Sequence, residues 1–201
     1  MGLVVGEVRL YEYGFDKHGA AANTGISRDE LRSLAQAMID YFGGSRNSPQ
    51  VSVTIAGKER PFYNERELAH MKDVSDLMGL DRTVQWLSLG YVALFLVVGF
   101  STKRGLFWST LLRSTLWASG LVLFIGLLLG VGVLLNFDQL FLQFHLVSFS
   151  NNLWMLDPTT DYLIRIVPQG FFQDAAIIIT LATVAEAAVL GGGALFLLSR
   201  R

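Results

Sequence analysis

The chain has 201 residues, of which 52% are hydrophobic and 16% charged, and its formal net charge is -1. This balance is typical of a membrane protein with one modest soluble portion, and the near-neutral charge gives no reason to expect a nucleic-acid partner. The chain has no cysteine, which excludes disulfides, thiolate metal sites and a thioester acyl-enzyme. Residues 1–82 hold ten Lys/Arg and twelve Asp/Glu, whereas the remaining residues hold six and five. The two parts are therefore predicted to lie in different solvents.

Residues 1–82 are predicted to form a small α+β domain. The apolar run before Glu7 is too short for a signal sequence or a membrane span. Ser27 followed by Glu30 predicts a capping box, and the helix that it opens is expected to end at Gly43-Gly44. Its apolar positions keep a helical spacing: Leu31, Leu34, Ala35, Met38 and Phe42.

A short hairpin and a second helix complete this domain. Val51, Val53 and Ile55 alternate with polar residues, and Gly57-Lys58 can turn the chain back. Asn64 with Glu67 three residues later predicts another capped helix, which carries His70.

Three apolar stretches follow, at residues 83–102, 114–137 and 175–199. Each supplies the roughly 20 residues that the hydrocarbon core of a bilayer requires, so we predict three transmembrane helices. The last stretch contains a single charged residue, Glu186. An ionisable group at that depth is either functional or a hydrogen-bonded packing residue.

The charges between the spans predict the orientation. Five cations without an acid flank the spans on one side, at Lys103, Arg104, Arg113, Arg200 and Arg201. Residues 138–174 instead carry four aspartates against Arg165, so the positive-inside bias places this segment and residues 1–82 outside the cytoplasm. Because such a long tail is difficult to export without a signal, we expect a further span upstream of Met1, giving four. The alternative is a three-span protein whose tail is exported by its first span.

All three histidines, His18, His70 and His145, are predicted to lie on the outer side. A histidine is mostly neutral at pH 7 and can act as a general base, so two within reach could divide base and acid roles or bind a metal. The alternative is that each is a structural hydrogen-bonding group. No short metal-ligand spacing such as HExxH occurs, so no metal site is predicted.

Polar side chains gather between the second and third spans, in residues 138–174. Asp157-Pro158 and Asp161 are typical of an Asx-type turn, although an aspartate could also orient His145 or pair with Arg165. Asn151 could donate its amide to an oxyanion or be an ordinary turn residue. Trp154 is either an interfacial anchor or a substrate contact.

Two runs of residues resemble a known family. The first is His145-x-x-x-Phe149-x-Asn151-x-x-Trp154-x-Leu156-Asp157-Pro158-x-x-Asp161, and the second is Asn64-Glu65-x-Glu67-x-x-His70-Met71-x-Asp73-Val74. Both are similar to segments of the bacterial integral membrane family that includes the lipoprotein intramolecular transacylase. The resemblance covers essentially the whole chain.

The resemblance implies a cofactor-free enzyme of the bacterial cytoplasmic membrane with its active site on the outer face. Its expected reaction moves the sn-2 acyl chain of a diacylglyceryl-cysteine lipoprotein to the α-amine of the same cysteine, leaving a lyso-form lipoprotein. Aminolysis within one substrate requires a base, positioning of the amine and donors for the oxyanion. By resemblance, His145 and His70 are the acid/base pair. Orienting, oxyanion or substrate-binding roles then fall to Asp157, Asp161, Asn151, Arg165 and Trp154.

Two other functions are compatible with the residues. One is a non-catalytic membrane protein that binds a lipoprotein or a regulatory partner. The other is a metal-dependent membrane hydrolase.

Overall fold

The structure, a computed structural model, describes residues 7–200, and the side chains of residues 103–105 are outside the description. The apolar run before Glu7 therefore lies outside the described residues. The described chain forms two compact units. The first comprises the residues up to Leu80 together with Asp138–Ala175, and the second comprises Asp81–Phe137 and the residues from Ala176 onward. The elements in chain order are α1 (Val8–Lys17), α2 (Ala20–Thr24), α3 (Arg28–Gly43), β1 (Ser52–Ile55), β2 (Lys58–Pro61), α4 (Glu65–Ser148), α5 (Leu163–Ile166) and α6 (Gln169–Ser199).

The two capping boxes and the hairpin predicted for the N-terminal part are present. The Ser27 hydroxyl accepts from the Glu30 amide while the Glu30 carboxylate accepts from the Ser27 amide, and Asn64 and Glu67 repeat this arrangement at the start of α4. Strands β1 and β2 pair antiparallel, with Ser52 opposite Pro61 and Ile55 opposite Lys58. Glycine in the left-handed region at Gly44 ends α3, as the double glycine predicted.

Two short helices, α1 and α2, precede the capping box at Ser27, where the predicted elements begin. In α1, the buried residues Tyr11, Gly14 and Phe15 share one face at helical spacing. This face contributes to the core of the first unit, to which α3, the hairpin and the start of α4 also supply side chains. That core includes Leu34, Val53, Phe62, Met71, Leu163, Ile166 and Phe171.

Helix α4 cannot be straight along its 84 residues. A rise of 1.5 Å per residue would place His70 and His145 about 110 Å apart, yet their ring centroids lie 6.1 Å apart. The rings of Phe95 and Phe107 are 5.1 Å apart, so α4 doubles back between these two phenylalanines. Its two arms therefore run in opposite directions, and their outer ends both belong to the first unit.

Three helical segments are long and apolar enough to cross a membrane: Glu65–Thr102, Leu106–Ser148 and Gln169–Ser199. They contain the three apolar stretches predicted from the sequence, so the prediction of a mainly helical membrane protein is confirmed. In the second unit, Gly191 on α6 faces Ser119 of α4 so closely that a Cβ atom there would lie 2.8 Å from the serine Cβ. Glu186 is exposed on α6.

Candidate active site

His70 and His145 lie side by side in the first unit. Their ring centroids are 6.1 Å apart with an interplanar angle of 34°. Both are buried, with 8% and 6% of the residue surface exposed. His70 lies in the second turn of α4, where the Asn64 cap sets the start of the helix, and His145 lies three residues before the end of α4 at Ser148. The sequence predicted that these two histidines could lie within reach of each other, and the structure brings them together.

The hydrogen bond of His145 determines its tautomer. Its Nδ1 atom lies 2.7 Å from the main-chain carbonyl oxygen of Phe141, one turn earlier in α4. A carbonyl oxygen can only accept, so Nδ1 carries the proton and donates it to this bond. The lone pair of the neutral ring is then on Nε2. His145 is therefore arranged to accept a proton at Nε2.

Aromatic side chains surround the His145 ring. Phe141 and Phe144 contact it edge-on, with centroids 4.4 and 5.4 Å away. Trp154 lies 4.9 Å away at a tilt of 36°, and Phe149 lies 5.6 Å away. Such an apolar enclosure favours the neutral imidazole and strengthens any polar interaction made inside it.

His70 lies in residues 65–82 of α4, which carry eight charged side chains and precede the charge-free stretch 83–102. Burial, which is the larger cause, and the neighbouring His145 together lower the pKa of His70 to about 4. The His70 imidazole is therefore neutral at pH 7. Its Nδ1 atom is buried and has no hydrogen-bond partner among the described residues. Phe149 packs edge-on against this ring, 5.3 Å between centroids.

Asn151 is held in one orientation by two hydrogen bonds. Its side-chain amide nitrogen donates to the Asp73 carboxylate at 2.8 Å, and its side-chain oxygen accepts from the Leu153 amide at 3.0 Å. Asp73 is one turn after His70 on α4. An amide nitrogen has two N–H groups, and only one is committed to Asp73. The remaining N–H is a candidate donor beside the histidine pair.

The loop that follows α4 is tied to the first turn of the same helix. Arg66 donates to the main-chain carbonyls of Asn152 and Met155, at 2.9 and 2.6 Å. Glu67, fully buried, accepts from the main-chain amides of Asn64 and Leu163, at 2.7 and 2.5 Å. Burial raises the pKa of this carboxyl. These contacts fix the loop relative to the helix that carries His70.

Asp157, Asp161 and Arg165 order this loop and form a group of their own. Asp161 accepts from the Asn64 side chain at 2.8 Å and from the Asp157 amide at 2.7 Å. Asp157 forms the predicted Asx-type turn, and its bonds from the Thr159 amide and hydroxyl lower the pKa of its carboxyl. Arg165 donates to the carbonyls of Pro158 and Thr159, both at 2.6 Å. These aspartates do not orient His145. The bond that fixes its tautomer goes to the carbonyl of Phe141, a residue that the sequence patterns did not indicate.

The third histidine, His18, is bonded to a carboxylate. Its Nε2 atom lies 2.9 Å from Asp174, which also accepts from Lys17 at 2.7 Å. Among the described residues, no group of three His, Asp or Glu side chains is arranged to hold a metal ion.

Three helical segments that are long and apolar enough to cross a membrane define the class of the chain: it is an integral membrane protein. The family model for the lipoprotein intramolecular transacylase, Lit, matches residues 1–172. The chain belongs to the lipoprotein intramolecular transacylase family and is an acyltransferase.

Solved structures agree with this assignment at the level of the fold. The chain is similar to the membrane-integral lipoprotein intramolecular transacylase Lit from Bacillus cereus, with a TM-score of 0.78, 20% identity, and coverage of 98% of this chain and 86% of that one. Two structures of the same Bacillus cereus protein with a histidine replaced by arginine or alanine give TM-scores of 0.71 and 0.68. They are 20% and 18% identical and cover 98% of this chain, with 82% and 84% of theirs. A comparison with curated proteins finds no match.

Proposed function

We propose that this chain transfers the sn-2 acyl chain of a diacylglyceryl-cysteine lipoprotein to the α-amine of the same cysteine. The reaction would take place on the extracytoplasmic side of the bacterial cell membrane. The observation that carries the proposal is the His145 ring, whose Nδ1–H is bound to the Phe141 carbonyl and whose Nε2 is free to accept a proton beside His70. The location is supported by the acidic balance of residues 138–174 and by the cations that flank the spans.

The chemistry requires no enzyme nucleophile. The α-amine nitrogen attacks the sn-2 ester carbonyl carbon, and Nε2 of His145 removes the proton that the amine must lose. The tetrahedral intermediate then collapses: the bond from carbon to the sn-2 oxygen breaks, and the proton is returned to that oxygen. The products of the neutral amine are an amide on the cysteine and a free sn-2 hydroxyl, so every atom of that form of the substrate is retained. A substrate that arrives as the ammonium ion releases one further proton to solvent before the attack.

Neighbouring groups would stabilise this path. The uncommitted amide N–H of Asn151 is suited to the oxyanion, since Asp73 and Leu153 already fix the direction of that amide. His70 is neutral at pH 7, so its ring can donate a hydrogen bond to the departing sn-2 oxygen and complete the acid/base pair. Trp154 packs on His145 and limits the ring's rotation. Asp157, Asp161 and Arg165 would act by ordering the loop that carries Asn151 and Trp154.

A lipopeptide with two different acyl chains tests the proposal. The full chain, purified in detergent, is given a diacylglyceryl-cysteine peptide that carries stearate at sn-1 and palmitate at sn-2. We expect mass spectrometry to find palmitate on the α-amine and stearate still on glycerol. Stearate on the amine, or no N-acylated peptide, would overturn the proposal.

A second lipopeptide distinguishes intramolecular from intermolecular transfer. An isotopically labelled peptide is mixed with the first, and the reaction is followed to completion. We expect each peptide to keep its own acyl chain, because amine and ester belong to one molecule. Exchange of chains between the peptides would contradict an intramolecular reaction.

A further inference from the structure

A cleft of about 240 Å³ lies within the first unit, next to the histidine pair. One wall comes from residues 73–80 of α4, and the other comes from Ser148 at the end of α4 and the loop that follows it. The lining residues are Asp73, Asp76, Leu77, Leu80, Ser148, Phe149, Ser150 and Asn151. Phe149 also packs against both His70 and His145, with centroids 5.3 and 5.6 Å apart. The cleft and the histidines therefore share a wall.

The polarity of the cleft changes along α4. Asp73 and Asp76 line one end, and Leu77 and Leu80 line the end that precedes the charge-free stretch 83–102. At 1.5 Å per residue, Leu80 lies about 10 Å from Asp73 along the helix, while His70 lies about 4 to 5 Å beyond Asp73. An amphiphile from the bilayer would fit with its acyl chain at the leucines and its polar group at the aspartates.

The described residues that line the cleft include two carboxylates and no cationic side chain. Asp76 is paired with the exposed Lys72, which is not a lining residue, at 2.7 Å. Asp73 accepts from Asn151, a neutral amide. His70 is not a lining residue, but its ring packs against Phe149 of the cleft wall, and its buried Nδ1 atom has no hydrogen-bond partner among the described residues.

We propose that this cleft selects a diacylglyceryl group that carries a cationic amine and rejects the anionic glycerophospholipids of the surrounding bilayer. The inference rests on the proposed function. Both kinds of lipid have an ester at sn-2, and they differ at sn-3, where one carries an amino-bearing cysteine and the other a phosphate. The carboxylates of Asp73 and Asp76 attract the first group and repel the second. Selectivity of this kind is needed because phospholipids far outnumber lipoproteins in a membrane.

Competition by phosphatidylglycerol tests this selectivity. Conversion of a diacylglyceryl-cysteine peptide is measured in detergent micelles that contain increasing phosphatidylglycerol, with phosphatidylcholine as the zwitterionic reference. We expect phosphatidylglycerol to inhibit the wild-type chain no more than phosphatidylcholine does. In Asp76→Asn and Asp73→Asn chains, the inhibition constant of phosphatidylglycerol should fall about fivefold for each substitution. Asp73→Asn keeps a side-chain oxygen that can accept from Asn151.

Asp81→Asn is the matched control, because Asp81 lies on the same helix and loses the same charge but does not line the cleft. Its inhibition constant for phosphatidylglycerol should equal that of the wild-type chain. If the wild-type chain is active but all four chains are inhibited equally, the selectivity proposal is wrong and the proposed function stands. If the wild-type chain forms no N-acylated peptide in phosphatidylcholine micelles, the proposed function itself fails.

Discussion

His145 and His18 are each held through one ring nitrogen, but by opposite kinds of partner. His145 donates to the neutral carbonyl of Phe141 inside an aromatic enclosure. His18 is bonded to the Asp174 carboxylate, which Lys17 also contacts at a partly exposed position. A neutral acceptor fixes the tautomer of a ring and leaves its other nitrogen able to accept a proton, whereas the carboxylate beside His18 is shared with a lysine. The first arrangement suits proton transfer and the second suits anchoring.

The strongest test of this contrast replaces each histidine with alanine. His145→Ala should lower the rate of lyso-form synthesis by about 10²- to 10⁴-fold, the usual contribution of a general base. His18→Ala should keep nearly the wild-type rate, because Asp174 retains Lys17. The rates are measured with the lipopeptide that carries two different acyl chains. Equal losses in the two variants would show that His145 has no special role.

The second test compares the carboxylates that support the two regions. Glu67→Ala removes a buried acceptor and leaves the Leu163 amide without its partner, so the free energy of unfolding should fall by about 2 to 4 kcal/mol. Asp174→Asn breaks the partly exposed ion pair with Lys17 and should cost at most about 1 kcal/mol. Thermal unfolding in detergent measures both. A larger effect at Asp174 would mean that the contacts of Asp174 with Lys17 and His18, rather than Glu67, anchor the first unit.

The third test uses pH. The pKa of His70 is about 4 in the folded chain and about 6.5 in an unfolded one, so the unfolded chain binds the proton more readily between these values. The stability that neutral His70 contributes is therefore present above pH 6.5 and is lost as the pH falls. From pH 7 to pH 5 this loss should be about 2 kcal/mol.

His70→Gln should show a shallower loss of stability over this range than His18→Gln, the matched control. Unfolding temperatures recorded at several pH values provide the comparison. Identical slopes in the two variants would contradict the burial-induced change at His70.

Much of this architecture follows from local sequence signals. The capping boxes at Ser27 and Asn64 and the three apolar stretches depend on residues close together in the chain, so the sequence predicted them. Helix α1 was missed because it is short and has Gly14 within its buried face. The sequence also indicated Asn151 and Trp154 by their resemblance to a family segment. In the structure Trp154 packs on the His145 ring, and Asn151 bonds to Asp73, one turn after His70.

The contacts that complete the site had no such signal. The partner of His145 is a main-chain oxygen, and every residue has one, so the identity of Phe141 carried no information. Glu67 was predicted as a helix cap, which it is, but its second bond reaches Leu163, 96 residues further along the chain. Asp73 occurs in the family segment, yet its contact with Asn151 depends on the reversal of α4.

Since the acceptor at position 141 belongs to the backbone, the protonation pattern of His145 is insensitive to most point mutations. Substitutions of the Phe141 side chain can change the packing around the ring, but the carbonyl remains as long as the chain between 141 and 145 is helical. What this site must preserve is therefore a piece of secondary structure close to a helix end, which finishes at Ser148. Sequence drift at position 141 is compatible with a constant tautomer, whereas fraying of the last two turns of α4 would release it.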